Sequence, residues 1–191
     1  MRPCTAWVQR QPGSRDAGKN KYWCMAYTKF LKPTRSTQNT GATEIPWNLD
    51  TSTYNTFTGS GSSEPLTSFN AKTTGLLLCS GYRTSIIPST SDGSTVTVIN
   101  GIEVKVLSDK EARIKDSIIQ LAQSGSLIGS NKANNNAGNN YTYGGSTDTW
   151  GTSLTYNDLS SLQVALKYSS GTIPHKDSVY VYSVQLKIYY T

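Results

Sequence analysis

The closing residues, Val179-Tyr-Val-Tyr-Ser-Val-Gln-Leu-Lys-Ile-Tyr-Tyr-Thr191, alternate apolar and polar side chains with a period of two. Successive side chains of a strand point to opposite faces, so this pattern asks for a strand with one face against a core. Tyr182, Val184, Leu186, Ile188 and Tyr190 are expected on the core face, with Ser183, Gln185 and Lys187 opposite, in a strand that closes a sheet. Two other stretches repeat the pattern. Ile102, Val104 and Val106 alternate with Glu103 and Lys105, and Leu162, Val164, Leu166 and Tyr168 alternate with Gln163, Ala165 and Lys167.

Around these strands the apolar content comes in short bursts separated by turn residues. Residues 76–79 and 82–87 flank Ser80-Gly81, residues 88–93 form a polar loop, and residues 95–99 are expected to meet residues 101–107 across Asn100-Gly101. Residues 108–122 are the one helix-compatible stretch, because Ile114, Ile118 and Leu121 recur at helical spacing. Strand-like neighbours on both sides favour a charged connection leading to a strand at residues 117–121 instead. The asparagine-rich run 134–140 reads as a loop, since asparagine tolerates left-handed backbone angles. Helix formers are scarce, while Thr, Ser, Val, Ile, Tyr and Gly abound. Many short strands with polar turns and no alternating helices predict an all-β chain, an antiparallel β-sandwich or jelly-roll-like domain.

Charge divides the chain. Residues 1–45 carry eight basic side chains against Asp16 and Glu44, whereas residues 46–191 carry ten basic and ten acidic ones, so the whole net charge of +6 lies in the first quarter. That quarter is broken by Pro3, Pro12-Gly13, Gly18 and Pro33, with at most a short hairpin from residues 5–9 and 22–27, and is expected to be an extended N-terminal arm. At 191 residues the chain fits one domain with an appendage: an arm over 1–45 and a sandwich over 46–191. The arm is too aromatic to be only a solvating tail. Trp7, Trp23, Tyr27 and Phe30 are expected to bury against a partner, with Arg10, Arg15, Lys19 and Lys21 steering the encounter. Lys19-Asn-Lys-Tyr-Trp23 interleaves bases with aromatics as single-strand binders do, but without a recognised motif, so a protein partner is preferred to nucleic acid.

The sequence offers little for catalysis. His175 is the single histidine, in a turn, and no serine sits in Gly-x-Ser-x-Gly, so no enzymatic activity and no cofactor are expected. Cys4, Cys24 and Cys79 are odd in number and form no Cys-x-x-Cys, which implies neither a zinc site nor a disulfide framework. Asp50, Asp148, Asp158 and Asp177 show no calcium-loop spacing. No apolar run approaches the ~18–20 residues a membrane span needs, and the first ten residues lack the apolar core of a secretory signal. The expected partners are therefore proteins or sugars. Tyr54, Tyr141, Tyr143, Tyr156, Trp47 and Trp150 near predicted loops, beside Asn and Asp, keep carbohydrate binding open as a rival to core and loop packing.

Val98-Ile-Asn-Gly-Ile-Glu-Val-Lys-Val106, Ser117-Ile-Ile-Gln-Leu121, Ile128-Gly-Ser-Asn-Lys-Ala133, Tyr143-Gly-Gly-Ser-Thr-Asp-Thr-Trp-Gly151, Leu154-Thr-Tyr-Asn-Asp-Leu159 and the closing strand together resemble a β-sandwich domain of tailed-bacteriophage structural proteins. The resemblance runs from Trp47 to Thr191, with the Gly-Gly-x-x-Asp-x-Trp-Gly segment its most specific part. Where similar sequences have Asn-Phe-Gly-Val, this chain has Ser161-Leu-Gln-Val164. The resemblance implies a non-enzymatic virion component, made in the host cytoplasm, that decorates a capsid or belongs to a neck, tail or fibre. Its partners would be other virion subunits or further copies of itself. The alternative is a carbohydrate-binding module for host adhesion, meeting a host surface glycan. On the residues alone, Gly144, Gly145 and Gly151 bracket Trp150, whose ring is expected to cover an open end of the sandwich, and Asp148 is expected to accept backbone N–H bonds that hold the loop closed.

Overall fold

The computed structural model describes residues 25–44, 47, 64–69, 73–84, 98–110, 113–134, 140–170 and 177–191. Among them lie ten strands: β1 (Ala26–Tyr27), β2 (Arg35–Asn39), β3 (Glu64–Phe69), β4 (Leu76–Ser80), β5 (Ile99–Lys110), β6 (Lys115–Gln123), β7 (Ser126–Ile128), β8 (Tyr141–Gly144), β9 (Leu162–Ser169) and β10 (Asp177–Tyr190). All pair antiparallel in two sheets. One runs β1-β10-β5-β8, with β3 also on β10, and the other runs β2-β4-β9-β6-β7.

The alternating residues explain why the sheets stack. Ile102, Val104 and Val106 of β5 and Val184, Leu186 and Ile188 of β10 meet Leu77 and Cys79 of β4, Ile119 and Leu121 of β6, and Val164, Leu166 and Tyr168 of β9 in one buried cluster. Fully burying a side chain of this size contributes roughly 1.5–3 kcal/mol, which no single sheet could collect without a facing layer. The fold is thus the all-β antiparallel sandwich that the alternation predicts. Lys115–Gln123 is a strand, as its neighbours implied, and the helical reading of that stretch is not realised.

Four expectations are corrected. Asn100-Gly101 is no hairpin turn: β5 runs straight through it, with Gly101 opposite Tyr189 and Ile99 opposite Tyr190, so Asn100 is the extra residue of a bulge. A Cβ on Gly101 would strike the backbone of Gly145 and Ser146, so glycine here serves a close approach. In β10 the register shifts between Val181 and Ser183, which turns Val179 and Val181 to the core and leaves Tyr182 half-buried. Ala165 is buried too, in a smaller cluster with Leu78 and Ala122.

The fourth correction concerns the N-terminal quarter. Residues 26–39, expected in the arm, supply β1 and β2 and complete an edge of each sheet. Leu31 exchanges two backbone hydrogen bonds with Leu186 (2.6 and 2.9 Å) and buries its side chain in the core. Gln38 of β2 clamps buried Trp47: its Nε2 donates to the Trp47 carbonyl (3.1 Å) and its Oε1 accepts from the Trp47 N–H (2.7 Å). The residues expected to form an arm therefore split, with 26–39 inside the sandwich and 1–24 outside the described residues.

Candidate interaction surface

Residues 25–31 run antiparallel beside the last third of β10. Tyr27 stands opposite Tyr189, the Thr28 N–H donates to the Ile188 carbonyl (2.9 Å), and the Ile188 N–H donates to Thr28 Oγ1 (3.0 Å). Leu31 faces inward, while Tyr27 lies on the outer face of the sheet, 63% exposed, next to Met25 at 45%. This is where the chain enters the sandwich from its basic N-terminal residues.

On that outer face the strand period gathers aromatic rings around cations. Lys187 Nζ sits 4.5 Å from the Tyr27 ring centre, 4.7 Å from Tyr189 and 5.6 Å from Phe30. Lys105 of β5 lies 5.9 Å from the Phe30 ring, and the Tyr27 and Tyr189 rings are tilted against each other at 5.8 Å. The Tyr189 hydroxyl donates to Glu103 Oε2 at 2.6 Å. Its hydrogen bond with Tyr189 holds Lys187 above the usual ammonium range, and partial burial with the Glu103 contact raises the Tyr189 hydroxyl. Both groups thus keep their protons at neutral pH. The result is a cation flanked by flat apolar faces, the chemistry that engages aromatic and acidic groups of a partner.

Tyr27 and Phe30 are the two arm residues singled out in the sequence that the described structure contains. Trp7, Arg10, Arg15, Lys19, Lys21 and Trp23 lie outside it. Sequence reasoning missed Lys187, Tyr189, Glu103 and Lys105. The i, i+2 spacing of Lys187 and Tyr189 on the polar face of the closing strand was the available signal.

The Gly-Gly-x-x-Asp-x-Trp-Gly loop has a different character. Trp150 has no exposed surface; its Nε1 donates to the Ile102 carbonyl (2.9 Å) and its N–H to Asp148 Oδ1 (2.8 Å). Asp148 also pairs with Lys132 at 2.8 Å, and this hydrogen bond, more than that from Trp150, holds its carboxyl below the usual range. Gly144 has φ of +77°, and a Cβ there would run into the Ile102 carbonyl and the indole ring of Trp150. Tyr143 is buried on β8, its hydroxyl bonded to Asp116, with Tyr141 tilted against it at 6.3 Å. Neither the Trp150 ring nor the Tyr143 ring presents a face on which a sugar could stack.

Asp158 accepts hydrogen bonds from Thr155 N–H (2.8 Å), Thr155 Oγ1 (2.6 Å) and Gln123 Nε2 (3.1 Å), a local turn brace. His175, Asp50 and Tyr54, and the side chain of Asp177, lie outside the described residues. Among the described residues no three His, Cys, Asp or Glu side chains gather as a metal site would require. An open cleft beside the Trp150 loop is lined by Ile99, Ile102, Leu154 and uncharged neighbours such as Thr149 and Thr152. Among the described residues no helix is long and apolar enough to cross a membrane. Comparison with family models, with curated proteins and with solved structures finds no match to this chain.

Proposed function

We propose that this chain is a non-enzymatic structural protein of a tailed-bacteriophage particle, a capsid decoration or a neck, tail or fibre component, held to neighbouring subunits through its N-terminal residues. The observation that carries the reading is a junction. Residues 1–24, which carry five basic side chains against Asp16 alone, enter the sandwich at an outer face where Tyr27, Phe30, Lys187 and Tyr189 cluster. Basic side chains speed the approach to an acidic neighbour, and aromatic faces then supply apolar area at small cost in side-chain freedom. The nearly balanced remainder, with thirteen basic and eleven acidic side chains over residues 25–191, suits display rather than attachment, and repeated copies on one particle would multiply weak contacts.

The test is to assemble particles with a chain lacking residues 2–24, a deletion that leaves every described strand in place. Loss of incorporation, with the sandwich still folded by circular dichroism, is the expected result. Undiminished incorporation would show that attachment lies elsewhere.

A further inference from the structure

The chain passes from one sheet to the other between β5 and β6, and at that corner it buries an ion pair. Lys110 Nζ lies 2.5 Å from Asp116 Oδ1, and both side chains are 1% exposed. The second carboxylate oxygen, Oδ2, accepts a hydrogen bond from the Tyr143 hydroxyl of β8. The rings of Tyr141 and Tyr168 each lie 5.4 Å from the Lys110 nitrogen. Nothing in the proposed attachment role uses this cluster. A buried ion pair is a weak source of stability, because removing both charges from water costs several kcal/mol per ion.

We propose that Lys110 and Asp116 condense spontaneously into an intramolecular amide, an isopeptide bond that covalently ties the first sheet to the second. One proton moves from the Lys110 ammonium to Asp116 Oδ1, giving a neutral amine beside a neutral carboxylic acid. Nζ then attacks Cγ of Asp116, and Oδ2 carries the developing negative charge under the hydrogen bond from Tyr143. A second proton passes from Nζ to Oδ1, the Cγ–Oδ1 bond breaks, and one water leaves. The ammonium and carboxylate have become a secondary amide and water, with charge and atoms balanced and no other reactant consumed.

Three features of the site favour this course. Nucleophile and carboxyl are held in contact by two strands, so the reaction is unimolecular. The Tyr143 hydroxyl aims at the oxygen on which charge accumulates, as an oxyanion donor does. Burial and the Asp116 bond hold that hydroxyl well above the ordinary tyrosine range, so it stays a donor. The surrounding rings exclude the water that would reverse the step. The same rings favour the ammonium, but proton transfer to the touching carboxylate neutralises both partners together and removes the burial cost of each.

The experiment is intact-mass measurement of the folded, purified full-length chain under denaturing conditions, followed by tryptic digestion. Arg113 and Lys115 lie between the two residues, so cleavage at both leaves the peptide 106–113 joined to the peptide 116–132 as one branched species. The expected result is a chain lighter by one water that yields this branched peptide. Lys110→Met and Asp116→Ala restore the full mass and linear peptides. Tyr143→Phe slows formation by on the order of 100-fold, the usual cost of losing one oxyanion donor. A folded native chain at full mass overturns the proposal, and so does loss of water without the branched peptide, which marks an imide within one segment. The mass and peptides of the native chain decide between bond and no bond by themselves, even where a variant fails to fold.

Discussion

At the scale of single residues, Trp150 shows how one side chain fixes a loop. It is a non-glycine residue at φ of +59°, a conformation that costs roughly 1–3 kcal/mol and persists only where surrounding bonds over-determine it. Those bonds are the indole N–H to the Ile102 carbonyl, the backbone N–H to Asp148 and the complete burial of the ring. Trp150→Ala is expected to destabilise the fold by about 3–5 kcal/mol in urea denaturation, as large-to-small core changes do. Trp150→Phe is expected to cost less, about 1 kcal/mol for the lost hydrogen bond and about 1 kcal/mol more for the smaller ring, because the Ile102 carbonyl keeps the Gly145 N–H (3.0 Å) as a donor. Equal losses for the two variants would mean that packing of the ring is not what holds the loop. Asp148 adds a pH dependence whose sign follows from its lowered pKa. As pH falls through about 4, the unfolded chain takes up the proton first, so stability that is complete above about pH 5 drains away toward the lower folded value. Asp148→Asn is expected to lower the urea midpoint at pH 7 and to flatten its fall as pH drops below about 5. A mutant curve parallel to the native one would place the acid sensitivity elsewhere, with Glu44 beside Lys167 and Asp158 beside Thr155 as the other lowered carboxyls among the described residues.

At the scale of elements, the N-terminal edge strands make the sharpest demand. β1 and Leu31 cover an edge of β10, and β2 covers the edge of β4 while its Gln38 clamps Trp47. A chain starting at residue 46 loses all of these and bares unpaired strand edges, which recruit other chains. It is expected to aggregate or melt well below the full chain, whereas a chain starting at residue 25 keeps every described pairing and is expected to elute and melt as the full chain does. A monomeric, equally stable 46–191 fragment in size-exclusion chromatography and thermal melts would refute this role for β1 and β2. The sequence showed β5, β9 and β10 clearly, because long half-buried strands impose alternation, whereas β6, with Ile118 and Ile119 adjacent, was read as a strand only from its neighbours and against a helical spacing. It hid β2 and the partner of β1 because each strand is short and mostly polar or exposed, with Tyr27 outside and Gln38 turned to the Trp47 backbone. It hid the bulges at Asn100 and Tyr182 because one added residue shifts the facing of all that follow without changing composition. Of the candidate surface, Tyr27 and Phe30 stood out by aromatic content in a basic segment. Lys187, Tyr189 and Glu103 did not, since Glu103 meets Tyr189 across a pairing 86 residues apart and both meet the Tyr27 segment across one 160 residues apart, which no local pattern encodes.

At the scale of the whole molecule, charge and apolar contact divide the work of attachment, and the two leave different signatures. Long-range attraction from the basic N-terminal quarter fades as salt shortens the Debye length from ~10 Å at 0.1 M to ~3 Å at 1 M, whereas aromatic burial does not. The rate at which the protein docks on particles stripped of it is therefore expected to fall steeply with added salt, while the dissociation rate changes little. Lys187→Glu reverses the charge at the centre of the Tyr27, Phe30 and Tyr189 cluster without touching the core, since Lys187 lies on the outer face opposite Glu103. It sets two carboxylates side by side and opposes an acidic partner, so it is expected to weaken docking by roughly 10-fold or more, about 1.4 kcal/mol. Tyr27→Ser removes an exposed ring and is expected to act mainly on dissociation. Surface plasmon resonance on immobilised stripped particles, run across a salt series, separates the contributions. If association is indifferent to salt and both variants bind as the native chain does, neither the charge segregation nor the aromatic cluster serves attachment, and the protein's partner must be sought on another face.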